Sequence, residues 1–229
     1  MAAATKAYAN LIATVPARRR RSAAQRGIAR EDRDSYRLAI LPFNADRPAA
    51  LAQERRDAFE AHLRSNITRA REQLAAGVVP APPTVSVRLP NDVRSDAELE
   101  AEQKLLGAGC AACRGQCCHL GGNHAFNEVN TMMLYLQRFP THDDETIVSR
   151  YLSYLAPRTM SRGCVYQEAG GCSLPRDLRS DVCNRFYCAS IRVLRNQFAA
   201  GEPVRAYFLH QRDGQLVGDR FVEIPVVKE

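Results

Sequence analysis

The thiols carry the most specific chemistry in this chain, since a thiolate is at once a nucleophile, half of a disulfide and a soft metal ligand. All eight cysteines fall between Cys110 and Cys188, in two halves: Cys110-x2-Cys113-x3-Cys117-Cys118 and Cys164-x7-Cys172-x10-Cys183-x4-Cys188. Crowding of this kind needs something that holds sulfurs together, and the candidates are disulfides, zinc and an iron-sulfur cluster. Cys110-Ala-Ala-Cys113 is a two-residue bite, which lets one turn aim both sulfurs at a single ion. A zinc ribbon wants a second such pair, and none occurs. Cys117 and Cys118 are adjacent, and neighbouring side chains in extended backbone point to opposite sides, so these two are expected to serve different ions or different corners of one cluster. Eight thiolates can make two four-sulfur zinc sites, or one iron-sulfur cluster with four left over, and the count alone does not choose. His119 and His124 stand close enough in sequence to replace a thiolate, whereas His62, His142 and His210 sit in no motif.

Composition sets the frame for this chemistry. A chain of 229 residues with 45% apolar content can bury a core. It has no apolar run long enough to cross a bilayer. The net charge of +7 is concentrated at the N-terminus: nine Lys or Arg within residues 1–37, including Arg18 to Arg21, face three acids, and the remainder is close to neutral. A basic nucleic-acid-binding face is therefore not implied. The Arg run follows an Ala-rich stretch rather than preceding an apolar one, so a secretory signal is not expected and a cytoplasmic location is. In that reducing compartment dense cysteines are read as metal ligands rather than disulfides.

The elements that must position the cysteines can be read in order. Residues 1–34 are expected to be a basic, disordered tail. A short strand is expected over 36–43 and a helix over 48–76, with Pro48 in its first turn and Gly77 at its stop. Four prolines make 78–90 a linker, with a short edge strand at 84–89. Ser95-x-x-Glu98 is a capping box that opens a helix through Leu106 and delivers the chain to Gly107, Gly109 and Cys110. Helices over 127–139 and 141–155, the second capped from Thr141, separate the two cysteine halves. Cys164 and Cys172 flank an Ala169-Gly170-Gly171 turn and belong on a small hairpin. A helix capped by Ser180 or Asp181 is expected to reach Ala200, with Cys183 and Cys188 about 140° apart around it, unless the helix starts only after Cys188. Residues 204–211 and 215–224 flank Asp213-Gly214 and form a β-hairpin. The fold class is thus mainly α with small β-hairpins, an irregular cysteine-rich metal-binding domain. Its expected divisions are 1–34, the tail; 35–90, helix and linker; 91–200, the cysteine-cluster domain; and 201–229, the C-terminal hairpin.

Cys110 to Cys118, followed by Cys164, Gly171-Cys172, Arg179-x3-Cys183 and Cys188, resemble the YkgJ-like family of zinc- or iron-chelating cysteine-cluster domains over residues 101–190. The family pattern Arg-Pro-x-x-Cys-Arg stands here as Arg179, Ser180, Cys183 and Asn184, and Arg114-Gly115-Gln116 is one residue longer than the usual gap. The resemblance implies a metal-binding module, with the flagellin lysine N-methylase as a distant relative thought to carry iron-sulfur. No Gly-x-Gly-x-x-Gly loop accompanies it, and the radical S-adenosylmethionine spacing is absent. The expectation is a protein whose eight cysteines, Cys110, Cys113, Cys117, Cys118, Cys164, Cys172, Cys183 and Cys188, hold an iron-sulfur cluster (4Fe-4S), with zinc as the alternative, in a scaffold or redox role. A cluster-bearing oxidoreductase or protein-lysine methylase is the competing reading. Its partners are metal ions and an unidentified protein.

Overall fold

The computed structural model describes residues 2–82 and 93–226, so the strand expected at 84–89 lies outside the described residues. In chain order the elements are α1 (Ala2–Gln25), β1 (Arg37–Pro42), β2 (Pro48–Ala50), α2 (Gln53–Ala75), α3 (Asp96–Ala112), α4 (Val129–Arg138), α5 (Asp144–Leu152), β3 (Arg158–Met160), β4 (Gln167–Glu168), β5 (Gly171–Cys172), α6 (Asp181–Arg185), α7 (Ala189–Arg195), β6 (Val204–Arg212) and β7 (Gln215–Ile224). This is the mainly helical chain with small sheets that the sequence predicts. The described residues do not divide in sequential blocks, however. They group into unit 1, drawn from Met1–Asn44, Val87–Gln116 and Tyr187–Glu229, and unit 2, drawn from Ala45–Ser86 and Cys117–Phe186.

Unit 1 is interleaved because β1, near the start of the chain, pairs in parallel with β6, near its end, with Arg37 opposite Ala206 and Pro42 opposite Gln211. β7 completes the sheet in the order β1-β6-β7, antiparallel to β6 through a tight turn in which Asp213 and Gly214 both take positive φ, the backbone that a two-residue hairpin demands. The middle strand is buried on both faces. Ala206 and Phe208 pack with Leu105 and Leu106 of α3 and Ile191 and Leu194 of α7, while Tyr207 and Leu209 pack with Tyr36 and Val15.

Val15 belongs to the segment expected to be a disordered tail. It forms α1 instead, burying Leu11, Val15 and Ala23, because Ala-rich sequence is strongly helix-forming and these apolar residues recur near helical spacing. The fold takes up half of the tetra-Arg run. Arg18 pairs with Asp219 at 3.0 Å, and Arg19 donates to the Tyr36 carbonyl at 2.6 Å and lies over the Tyr207 ring, while Arg20 and Arg21 are exposed.

In α3 the capping box is present: the Ser95 hydroxyl accepts from the Glu98 N–H, and the Glu98 carboxylate accepts from the Ser95 N–H. The helix does not end at Leu106 but runs on through Gly107, Gly109 and Cys110 to Ala112. Its continuation is explained by packing, because a Cβ on Gly109 would come within 2.9 Å of the Phe208 ring and 3.1 Å of Ile191 Cδ1. The helix is therefore held flush against β6 and α7, and tertiary contact outweighs the glycines' poor propensity.

Unit 2 is built on α2, which packs against α4 and α5 around Phe59, Leu63, Ile67, Met132, Met133, Tyr151 and Tyr166. α2 begins at Gln53, later than expected, because Pro48–Ala50 pairs antiparallel with β3, an edge position that proline tolerates. α5 is capped by Asp143, whose carboxylate accepts from the Thr146 N–H at 2.8 Å, rather than by Thr141. The hairpin expected around Cys164 and Cys172 is present as β4 and β5. The single helix expected over 180–200 is broken, since Phe186 and Cys188 adopt extended backbone between α6 and α7.

Candidate metal centre

Five of the eight cysteines lie in unit 2: Cys117, Cys118, Cys164, Cys172 and Cys183. Cys117 precedes a single turn of 3-10 helix that contains Cys118. Cys164 leads into β4, Cys172 ends β5 and Cys183 sits in α6. These thiols act on one another electrostatically, Cys118 with Cys117, Cys164 and Cys172, and Cys183 with Cys172 and Cys117. Four separate stretches of chain therefore bring sulfur to one region.

Several backbone features hold that region together. Gly121 packs so tightly on Cys164 that a Cβ there would stand 3.0 Å from its Cβ and 3.1 Å from its Sγ. Ala125 and Phe126 are held at positive φ (52° and 53°) beside Gly122 at 42°, a costly conformation for residues with side chains. The Ala125 carbonyl so placed faces Cys183 Sγ at 4.0 Å. Arg179 donates to the Leu174 carbonyl at 2.7 Å and the Cys172 carbonyl at 3.2 Å, tying β5 to the turn that leads into α6.

The adjacent pair departs from the sequence expectation. Cys117 lies in helical backbone (φ −78°, ψ −25°) rather than extended, and the two thiols act on each other's protonation. Their interaction holds the Cys117 thiol down at about 7 and pushes Cys118 up, burial adding to the rise. Burial pushes Cys164 up to about 12. Cys183 is exposed as a residue, yet burial of its inward-turned sulfur is the largest cause of its raised pKa. A metal that takes these thiols as ligands displaces their protons.

Cys110, Cys113 and Cys188 lie in unit 1. Cys110 is in the last turn of α3, Cys113 is its C-cap and Cys188 is the N-cap of α7. Cys183 and Cys188 thus belong to different units, and the angle between them around one continuous helix has no meaning. The C-terminal end of α3 is pinned where the Asn44 N–H donates to the Cys113 carbonyl at 2.9 Å and the Asn44 amide donates to the Arg114 carbonyl at 3.3 Å.

Among the described residues no two cysteines form a disulfide, and no three His, Cys, Asp or Glu side chains stand close enough together to hold an ion. The donors are right in kind and are gathered by region, five and three, but they do not meet at bonding distance. Of the two candidate histidines, His124 accepts from the Phe126 N–H through Nδ1 at 3.1 Å and packs edge-on to that ring, while His119 lies beside Cys117 and helps lower its pKa. Sequence reasoning missed two residues, Gly121, which packs on Cys164, and Glu102, which is buried on α3 and paired with Arg94 and Arg195. The Gly121-Gly122 doublet was a visible signal for the first; nothing local marks Glu102, which looks like any surface acid of a helix. No family model, curated protein or solved structure matches this chain.

Proposed function

We propose that the chain is a metal-binding cysteine-cluster protein of the YkgJ-like kind, holding an iron-sulfur cluster, or zinc as the alternative, in a scaffold or redox role in the cytoplasm. One observation carries this reading: five unbridged thiols from four separate stretches, Cys117, Cys118, Cys164, Cys172 and Cys183, are gathered in unit 2. A mere core of small apolar residues would not need strained backbone at Ala125 and Phe126, nor an arginine clamp on the Cys172 carbonyl. Thiolate is the donor that both zinc and iron-sulfur clusters take, so the donor set fits the group in kind.

These five residues would hold the ion in unit 2, with Cys110, Cys113 and Cys188 as donors in unit 1. A bound cluster would supply one-electron transfer, whereas zinc would only staple the segments. The protein's own part is positional: Gly121 sets Cys164, Arg179 sets Cys172, and the Ala125 carbonyl faces Cys183. No helix among the described residues is long and apolar enough to cross a membrane. Anaerobic purification followed by metal analysis and an absorption spectrum tests the reading. A brown protein with iron and acid-labile sulfide, or a colourless one with stoichiometric zinc, is expected; a folded, metal-free protein that takes up neither would overturn it.

A further inference from the structure

The chain's excess positive charge is built into unit 1. The stretches of that unit hold 19 Lys or Arg against 13 acids, whereas those of unit 2 hold 13 against 12. Nine of the 19 lie in residues 1–37, which fold as α1 and the turns that follow it rather than as a solvated tail. Charge on a disordered tail defines no binding face, but charge carried by a docked helix does.

The tetra-Arg run divides by helix face. Arg18 and Arg19 fall on the side of α1 that buries Leu11, Val15, Ser22 and Ala23, and they are engaged there by Asp219 and the Tyr36 carbonyl. Arg20 and Arg21 fall outside that side and are exposed. The inward pair fixes the rotation of the helix, so the outward pair is held toward solvent. Just beyond the helix, Gly27 takes positive φ (67°) and the Ile28 N–H donates to the Ala23 carbonyl at 3.0 Å, which closes the helix end and turns the chain. Arg30, also exposed, stands in the turn that follows. Among the described residues Arg20, Arg21 and Arg30 pair with no carboxylate. The acids of the segment are largely committed elsewhere: Asp32 pairs with Arg205 at 3.3 Å and Asp34 lies 3.9 Å from Arg19, which leaves Glu31.

The rest of the outward face decides which polyanion fits. It carries Ala9, Ala13, Ala17 and Ala24, all exposed, and among the described side chains of α1 the one large apolar group exposed is Ile12, at 39%. An interfacial membrane helix needs a face of large apolar residues to bury in lipid, and this face does not supply it. Methyl groups instead let a helix approach closely, and the major groove of duplex DNA, about 12 Å wide, admits an α-helix. We propose that α1 is a DNA-binding surface that lies against the major groove, with Arg20, Arg21 and Arg30 on backbone phosphates. Contacts of that kind position a protein on the duplex without reading its sequence. The inference does not depend on the reading of the cysteines as metal ligands.

The test titrates the purified full chain into a fluorescently labelled DNA duplex of about 20 base pairs, two helical turns, and follows anisotropy as salt is raised. Three phosphate contacts, at about −0.9 each in the slope of log K against log salt, predict an affinity that falls roughly fortyfold between about 50 and 200 mM salt. The double variant Arg20→Gln with Arg21→Gln changes only exposed side chains; it should weaken binding and bring the slope to about −0.9. Arg192→Gln removes an exposed charge from α7 of the same unit and should leave both affinity and slope as they are. Circular dichroism matching that of wild type verifies that the variants fold. The inference is overturned if the duplex does not bind at about 50 mM salt, the low end of that range, or if the double variant binds as wild type does. It is equally overturned if Arg192→Gln costs as much per charge as the double variant, which would reduce the effect to net charge. Binding to phosphatidylserine vesicles without binding to the duplex would also overturn it and assign α1 to a lipid surface.

Discussion

Gly121 is the residue on which the position of Cys164 turns. A methyl group there would meet the Cys164 Cβ and Sγ at 3.0 and 3.1 Å and the Phe126 ring at 3.1 Å, closer than unstrained packing allows. Gly121→Ala is therefore expected to push the sulfur away from Cys118 and Cys172 at a cost of about 1–3 kcal/mol, the usual range for overpacking. Metal content after purification should fall along with the melting temperature, whereas Gly170→Ala, with no described residue within 4 Å of the added methyl, should leave metal content unchanged. Equal metal content in the two variants would show that Cys164 is not a ligand. The eight cysteines and the Gly121-Gly122 doublet were visible in the sequence, and so was Arg179. The helical backbone at Cys117 was not, because no local residue signals it.

Among the elements, β6 gives the clearest view of how environment sets chemistry. His210 lies on it opposite Gly218, whose missing side chain leaves room for the ring, and the Phe43 ring stands 6.0 Å away. The side chain is buried, and among the described residues its Nε2 has no hydrogen-bond partner. Burial lowers its pKa; Asp219 opposes the change, and Arg18 and Arg220 add to it. The unfolded chain therefore takes up the proton first, and stability present above the ordinary histidine value of about 6.5 is lost as pH falls below it. Melting temperature should decline from pH 7 to pH 5, and His210→Gln should flatten that slope; an unchanged slope would place the titrating group elsewhere. The C-terminal hairpin, the capping box and the strand near residue 40 were all legible, because alternation, Asp-Gly and Ser-x-x-Glu are local signals. The parallel pairing of β1 with β6 was not, since it joins strands far apart in the chain. The break between α6 and α7 was half legible: a helix start after Cys188 stood as an alternative, but no proline or glycine marks the break itself.

For the whole molecule, the unexpected fact is that the cysteine stretch, contiguous in sequence, is divided by the fold between two units, each with its own core. Helix α1 shows the same principle at the N-terminus: composition alone reads as a solvated tail, yet Arg18 and Arg19 are spent on Asp219 and backbone carbonyls of the sheet unit. Charge counted along a sequence cannot tell a pairing residue from an exposed one. The central claim is that sulfur from these cysteines is the inner coordination shell of a bound ion. X-ray absorption at the metal edge of the anaerobically purified chain measures that shell directly. The account predicts an iron or zinc edge with a shell made of sulfur, at about 2.3 Å if the ion is zinc. A shell of oxygen and nitrogen, or a protein that carries no metal edge at all, would contradict it.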